Sequence, residues 1–254
     1  RHPDYIREVL STQRGSFTLS PLRKRLVAVV GQGLFTSEGD LHARQRRLMQ
    51  PVFRKSRIEA YAGAIAELSR RTRDQWRPGA EIDLTEETMK LTMLVAARAL
   101  FDDDIEADAE AVSSNLAVLL EFFTRISSPF LGLWLRLPLP SSRRFHRAVL
   151  ELDAVIYRMI ERRRGAGVSG NDLLSLLMQA KDDETNVFMT QKQLRDEMLT
   201  LLIAGHETTA NLLGWTLYLL AQDERAAERL HAEARSVLGG RPGFVAADAE
   251  RLPF

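Results

Sequence analysis

Residues 199–220 read LTLLIAGHETTANLLGWTLYLL, from Leu199 to Leu220. Apolar residues fall on nearly every face of a 3.6-residue repeat, the pattern of a helix buried at the centre of a larger domain. Upstream, Thr190 is followed three residues later by Gln193, a capping box that predicts a helix start there and the longest helix of the chain, running on through Leu220. The middle of that helix is at odds with its flanks. Gly205 costs about 1 kcal/mol against alanine in a helix interior, and Thr208 and Thr209 add smaller penalties. Such conflicts concentrate where a residue answers a demand other than helix stability. Ala204 and Gly205 leave room for something to approach the backbone, and a threonine hydroxyl can bond to the carbonyl four residues back and bend the helix. Glu207 beside Thr208 then sets a carboxyl group and a hydroxyl next to the gap, the parts of a proton relay. The same polar residues would also serve to bond a neighbouring helix or shape a kink, and by themselves they leave both readings open. A zinc-protease motif is excluded, because His206-Glu207 would need a second histidine at Ala210.

Outward from this segment, apolar residues recur at helical spacing through most of the 254 residues, and alternating strand-like runs are almost absent, so the chain is expected to be mainly α. Glycine and proline punctuate it at Gly31 to Gly33, Pro51, Arg77 to Gly79, Pro138 to Ser142, Gly165 to Gly170, Asp182 to Asp183 and Gly239 to Gly243, cutting it into about eight helices. Ile58, Tyr61, Ile65 and Leu68 mark one amphipathic helix packed on a core. Hydrophobic residues at 45% and charged ones at 27% place the chain in the ordinary globular class. The formal charge of +1 gives no reason to expect nucleic acid as a partner. No apolar stretch approaches the roughly 20 residues of a membrane span, and a cytoplasmic location is expected. Phe130 to Leu139 is the most lipid-like run and reads as a buried or partly buried loop, or else as a surface contact with lipid. No cysteine is present, which excludes disulfides and thiolate chemistry within this polypeptide.

The order Ala204-Gly205-His206-Glu207-Thr208-Thr209 in a long apolar helix resembles the central I-helix signature of cytochromes P450. A second stretch, Gly33 to Phe53, is similar to the C-helix region of that family. It carries an arginine run on a helix stopped at Pro51, with His42 and Arg46 four apart on one face. Glu81 to Thr85 leading a helix that ends at Ala99-Leu100-Phe101, and Asn171 to Leu177, resemble further family segments in family order. The resemblance implies an incomplete cytochrome P450 fold over residues 1–254, from about the B helix to the segment before the K helix. It implies haem b as cofactor, its propionates met by His42 and Arg46, with an oxygen groove at Ala204, Gly205 and Thr209. Glu207 and Thr208 would pass protons to the dioxygen bound there, and His206 would be a variable position. The implied partners are a hydrophobic small-molecule substrate, dioxygen and an electron donor, whether ferredoxin, flavodoxin or reductase. Arg44, Arg47, Arg54, Lys55 and Arg57 are candidates for docking that donor by electrostatic steering; Arg44 and Arg47 otherwise read as a solvated face. Phe122, Phe123, Phe130 and Trp134 suit either an apolar substrate pocket or plain core.

The family's Glu-x-x-Arg pair of the K helix and its cysteine loop lie downstream of the I helix. The matches Glu67 to Arg70 and Glu161 to Arg164 precede it and read as chance. Both ends of the family chain are therefore expected to be missing, with the axial thiolate on the missing C-terminal part, and the fragment alone is expected to be inactive, to expose an apolar face and to aggregate or stay molten. Two rival readings remain: a non-catalytic remnant or helical interaction protein, and a di-iron carboxylate protein. The latter needs two Glu-x-x-His motifs, and only Glu228 to His231 fits.

Overall fold

The computed structural model describes residues 2–101, 106–168, 170, 172–182, 184–241 and 243–253. Among them are thirteen α-helices: α1 Pro3–Arg7, α2 Pro21–Lys24, α3 Val27–Val30, α4 Gly39–Met49, α5 Lys55–Gln75, α6 Leu84–Phe101, α7 Glu106–Arg125, α8 Leu131–Arg136, α9 Pro140–Gly165, α10 Leu173–Gln179, α11 Gln191–Leu220, α12 Glu224–Leu238 and α13 Ala246–Ala249. The only extended pairing among these residues is an isolated bridge between Lys181 and Phe188. The mainly α expectation therefore holds. The breaks cut the chain into eight segments, of which 79–138 holds both α6 and α7 and 183–239 both α11 and α12, while the stretch before Gly31 holds only α-helices of four or five residues. Helices of four to six residues are too short to repeat the apolar pattern.

α11 forms as the sequence predicts. The Thr190 hydroxyl accepts from the Gln193 amide at 3.2 Å, and the Gln193 side chain accepts from the Thr190 amide at 2.9 Å. Its first half is sunk in the core, with Leu194, Met198, Leu199 and Leu202 all buried. α6 and α9 both pack on it, α6 more extensively, while α7 packs on α9 and α5 on α6. Phe122 of α7 stacks on Phe145 of α9 at 4.6 Å, and Trp134 of α8 joins them, its indole N–H donating to Ser141. α5 is less deeply set than its pattern predicts: Ala62 is buried, Tyr61 and Leu68 are half-buried, and Ile65 is exposed. The side chains of Ile58 and Arg57, and the whole of Asn171 and Asp183, lie outside the described residues.

The stretch Phe130 to Leu139, expected to be a buried or partly buried loop, is partly buried, with Trp134 and Leu135 packed against the core, but much of it is helix. It contains α8, of which Leu131 is buried while Phe130, Leu133, Leu137 and Leu139 are exposed. One turn of helix anchored by a single leucine gives no alternation for the sequence to display. No helix among the described residues is long and apolar enough to cross a membrane.

Candidate active site

Beyond Leu202 the surroundings of α11 change. His206 and Ala210 are buried against α6, whereas Ala204, Gly205, Thr208 and Thr209 are exposed and Glu207 is half-buried. His206 Nε2 lies 3.0 Å from the Met89 carbonyl oxygen on α6, so it carries the hydrogen and donates. Burial holds the imidazole below its usual pKa, opposed by that hydrogen bond. Among the described residues the polar residue of the motif that bonds a neighbouring helix is thus the histidine; Glu207 and Thr208 face away from α6, and Thr209 is exposed on a different side from both. The Thr208 hydroxyl donates to the Ala204 carbonyl at 2.5 Å, the back-bond read from the sequence. A Cβ placed on Gly205 would meet nothing within 4 Å. Glu207 has no hydrogen-bond or ionic partner among the described residues.

Ala204, Glu207 and Thr208 form one wall of a cavity of about 430 Å³. Thr200 and Ile203 continue that wall, Phe123 and Ile126 close it from α7, and residues between Ser20 and Phe35 complete it. Of the aromatics named from the sequence, Phe123 lines the cavity, Phe122 and Trp134 belong to the core, and Phe130 is exposed. Two hydrogen bonds from Arg25 to the carbonyls of Ile126 and Ser128, each 2.8 Å, tie the segment after α2 to the end of α7. That places a cation on the negative end of the α7 dipole.

The part of the site that sequence reasoning missed is the seat of residues 29–34 on α11. The Gln32 amide donates to Asp196 and the Leu34 amide to Glu197, both at 2.9 Å. Asp196 also takes Lys192 and Arg195, and Arg195 reaches Asp153 on α9. Gly31 has φ +69°, and a Cβ there would strike the Asp196 carboxylate. A Cβ on Gly33 would come within 2.8 Å of the Asp196 carbonyl oxygen. The available signal was three charged residues, 195 to 197, at the start of an otherwise apolar helix, together with a glycine pair one residue apart.

His42 is half-buried on α4, with Nδ1 3.2 Å from the Leu34 carbonyl oxygen. Arg46, one turn on, is exposed and has no partner among the described residues. The basic patch is otherwise largely neutralised. Arg44 and Arg47 meet Asp182, and Arg47 also pairs with Glu184 at 2.9 Å. The amides of Thr185 and Glu184 and the Arg44 charge hold the Asp182 carboxyl below the usual carboxylate range. Lys55 pairs with Glu250, Arg54 is exposed, and the Arg57 side chain is outside the described residues. Of the solvated face expected at Arg44 and Arg47, Arg47 is exposed and Arg44 half-buried, and both ion-pair to the loop between α10 and α11. Glu161 and Arg164 form an exposed pair one turn apart. Among the described residues no three histidine, aspartate, glutamate or cysteine side chains gather as a metal site.

The whole chain, residues 1–254, matches the family model described as Cytochrome P450. The chain belongs to the cytochrome P450 family. It is 38% identical over 257 residues to cyclooctatin synthase of Streptomyces melanosporofaciens, covering all of this chain and 55% of that protein. It is 35% identical to cyclooctat-9-en-7-ol 5-monooxygenase of the same organism, covering 94% of this chain and 52% of the relative. The haem domain of cytochrome P450DA superposes with a TM-score of 0.81 at 26% identity, covering 93% of this chain and 52% of that one. The chain thus spans about half the length of the relatives it matches. As a P450 segment it implies haem b with a thiolate ligand; the chain holds no cysteine to supply that thiolate, but its residues suit the propionates and one face of the group. Arg46 offers an unpaired guanidinium to a carboxylate. His42, already engaged through Nδ1, has Nε2 left, which donates to an anion in the imidazolium form. Open space at Gly205 admits a flat group against the helix.

Proposed function

We propose that the protein to which this chain contributes is a haem-thiolate monooxygenase acting on a hydrophobic, cyclic organic substrate. The observation that carries the reading is the cavity: a mostly apolar, half-open hollow with a carboxyl group and a hydroxyl, Glu207 and Thr208, set into one wall. Relatives named for cyclooctat-9-en-7-ol and for pentalenene, the latter an oxygenase of Streptomyces avermitilis at 29% identity, support a compact alicyclic substrate. The reaction takes one substrate C–H, dioxygen, two electrons and two protons to a C–OH group and water. The electrons come from a ferredoxin, flavodoxin or reductase.

Haem, when bound, supplies the site at which dioxygen is reduced and divided. This chain's residues supply substrate space and protons. In the conformation observed, the Thr208 hydroxyl gives its hydrogen to the Ala204 carbonyl and can only accept from the cavity. Rotation about the Cβ–Oγ1 bond would release that hydrogen toward the cavity, and the Glu207 carboxyl on the same wall, with no other partner among the described residues, would replace it. His206 locks the turn against α6 while this happens.

Thr208→Ala removes the accepting and donating oxygen together. In the haem-loaded full-length protein the variant is expected to consume reductant at a comparable rate while product per electron pair falls about tenfold or more, within the range a positioned acid–base group contributes. Unchanged coupling in a product-to-reductant assay would remove Thr208 from proton delivery.

A further inference from the structure

Among the described residues one cation lines the cavity, and nothing in the proposed mechanism uses it. Arg23, on α2, stacks its guanidinium over the Phe35 ring at 4.1 Å from the centroid. Its backbone amide is spoken for by the Ser20 hydroxyl, but the side chain has no hydrogen-bond or ionic partner among the described residues. Its Nε is buried and unsatisfied. A buried donor without a partner is costly, and a charged one more so. Stacking on an aromatic face recovers part of that cost and fixes the guanidinium plane without engaging its N–H groups. Arg25, two residues on, spends its guanidinium on the backbone of the α7 end. The segment therefore already has its structural arginine, and Arg23, half-buried with its Nε covered, is left at the wall of the half-open cavity with no partner among the described residues.

We propose that Arg23 is a specificity-determining residue of this cavity: its N–H groups, held in place by Phe35, bind an oxygen atom of the substrate. The substrate class is then a hydrophobic ring system bearing a hydrogen-bond acceptor, and a pure hydrocarbon fits less well. The energetic asymmetry is the familiar one for buried polar sites: a ligand lacking the acceptor leaves the donor unpaired, and the site rejects it more strongly than an apolar pocket rejects a change of size. The proposal rests on the reading of this cavity as the substrate site.

The test uses three probes with one cage, adamantane, 1-adamantanol and 1-adamantanecarboxylate, in equilibrium dialysis against the haem-loaded full-length protein. Each is titrated against the wild type and the Arg23→Leu and Arg23→Lys variants. Arg23→Leu is expected to weaken at least one oxygen-bearing probe about tenfold and to leave adamantane unchanged or tighter, which also shows that the cavity has survived. Arg23→Lys should retain part of the oxygen-dependent affinity. A larger loss for the carboxylate than for the alcohol assigns an anionic end group, and the reverse a neutral one. Equal losses for all three probes, no loss for any, or no binding of any probe by the wild type would overturn the proposal. Dialysis needs no turnover, so it can fail while the protein still oxygenates a substrate, and it can succeed where oxygenation fails.

Discussion

Glu197 carries the least expected chemistry of any single residue here. Its carboxyl is pushed up to about 7, chiefly by burial and further by the neighbouring Asp196, against the opposing hydrogen bond from the Leu34 amide. The folded state therefore holds a proton between about pH 4.5 and 7 that the unfolded chain has released. Binding more protons when folded means that stability falls as pH rises through that interval, by roughly 3 kcal/mol once the group is ionised in both states. Glu197→Gln keeps an acceptor for Leu34 and cannot ionise. The urea midpoint of the full-length variant should accordingly fall less between pH 5 and pH 8 than that of the wild type, and parallel falls would show that Glu197 is not the titrating group. His206 acts at the other end of the scale. Its depressed pKa makes stability drop as pH falls below about 6.5, the unfolded value. The motif residues 204–209 were legible in the sequence because glycine and threonine break a helical preference there. Glu197 was not, since a charged residue in the first turns of a helix ordinarily faces water, and only the approach of residues 31–34 from far upstream encloses it.

At the scale of elements, two glycines show opposite consequences of one substitution. Gly31 sits at φ +69° with its α-hydrogens against Asp196, so Gly31→Ala combines backbone strain with displacement of a buried carboxylate. A loss of about 2 kcal/mol or more is expected. Gly205 is helical with empty space beyond it, so Gly205→Ala should stabilise α11 by up to about 1 kcal/mol while filling the gap meant for a ligand. Thermal unfolding of the two variants, with haem retention measured alongside, should move in opposite directions: Gly31→Ala lowering Tm, Gly205→Ala raising the stability of the haem-free form and weakening haem binding. The long helices were readable because each repeats its apolar pattern several times. α8 and the short helices α1 to α3 were not, because a single turn held by one or two buried side chains, or by none, leaves no period. The loop after α10 was read only as a break. Its function as a clamp depends on Arg44 and Arg47 reaching Asp182 from a helix some 135 to 138 positions earlier, a pairing that no local pattern records.

Taken as a whole, the molecule is covered on one side of α11 and bare on the other. Ala204, Thr208, Leu212, Trp215 and Leu219 are all exposed, and their spacing of four, four, three and four places them in one stripe along the helix. Leu212 is 67% and Trp215 64% exposed. A stripe of that composition on a 30-residue helix is not a surface that a monomer leaves to water, and it begins at the groove residues themselves. On the proposed reading of Ala204 and Gly205 as an oxygen groove, whatever covers the apolar half of the stripe also closes that groove, which ties completion of the fold to completion of the site. The 254-residue polypeptide by itself is therefore expected to bind ANS strongly and to sediment as a mixture of associated species, whereas the full-length protein should do neither. Leu212→Glu with Trp215→Glu separates covering from mere stickiness. In the 254-residue chain the pair should reduce ANS binding and association, since the charges remain solvated. In the full-length protein the same pair should lower the urea midpoint and the haem content, because each carboxylate would be taken out of water without a partner. Improvement in both contexts would mean that the stripe stays at the surface of the complete protein, and the groove at its upper end would then lie open to solvent, where proton delivery by Thr208 and Glu207 could not be kept separate from bulk water.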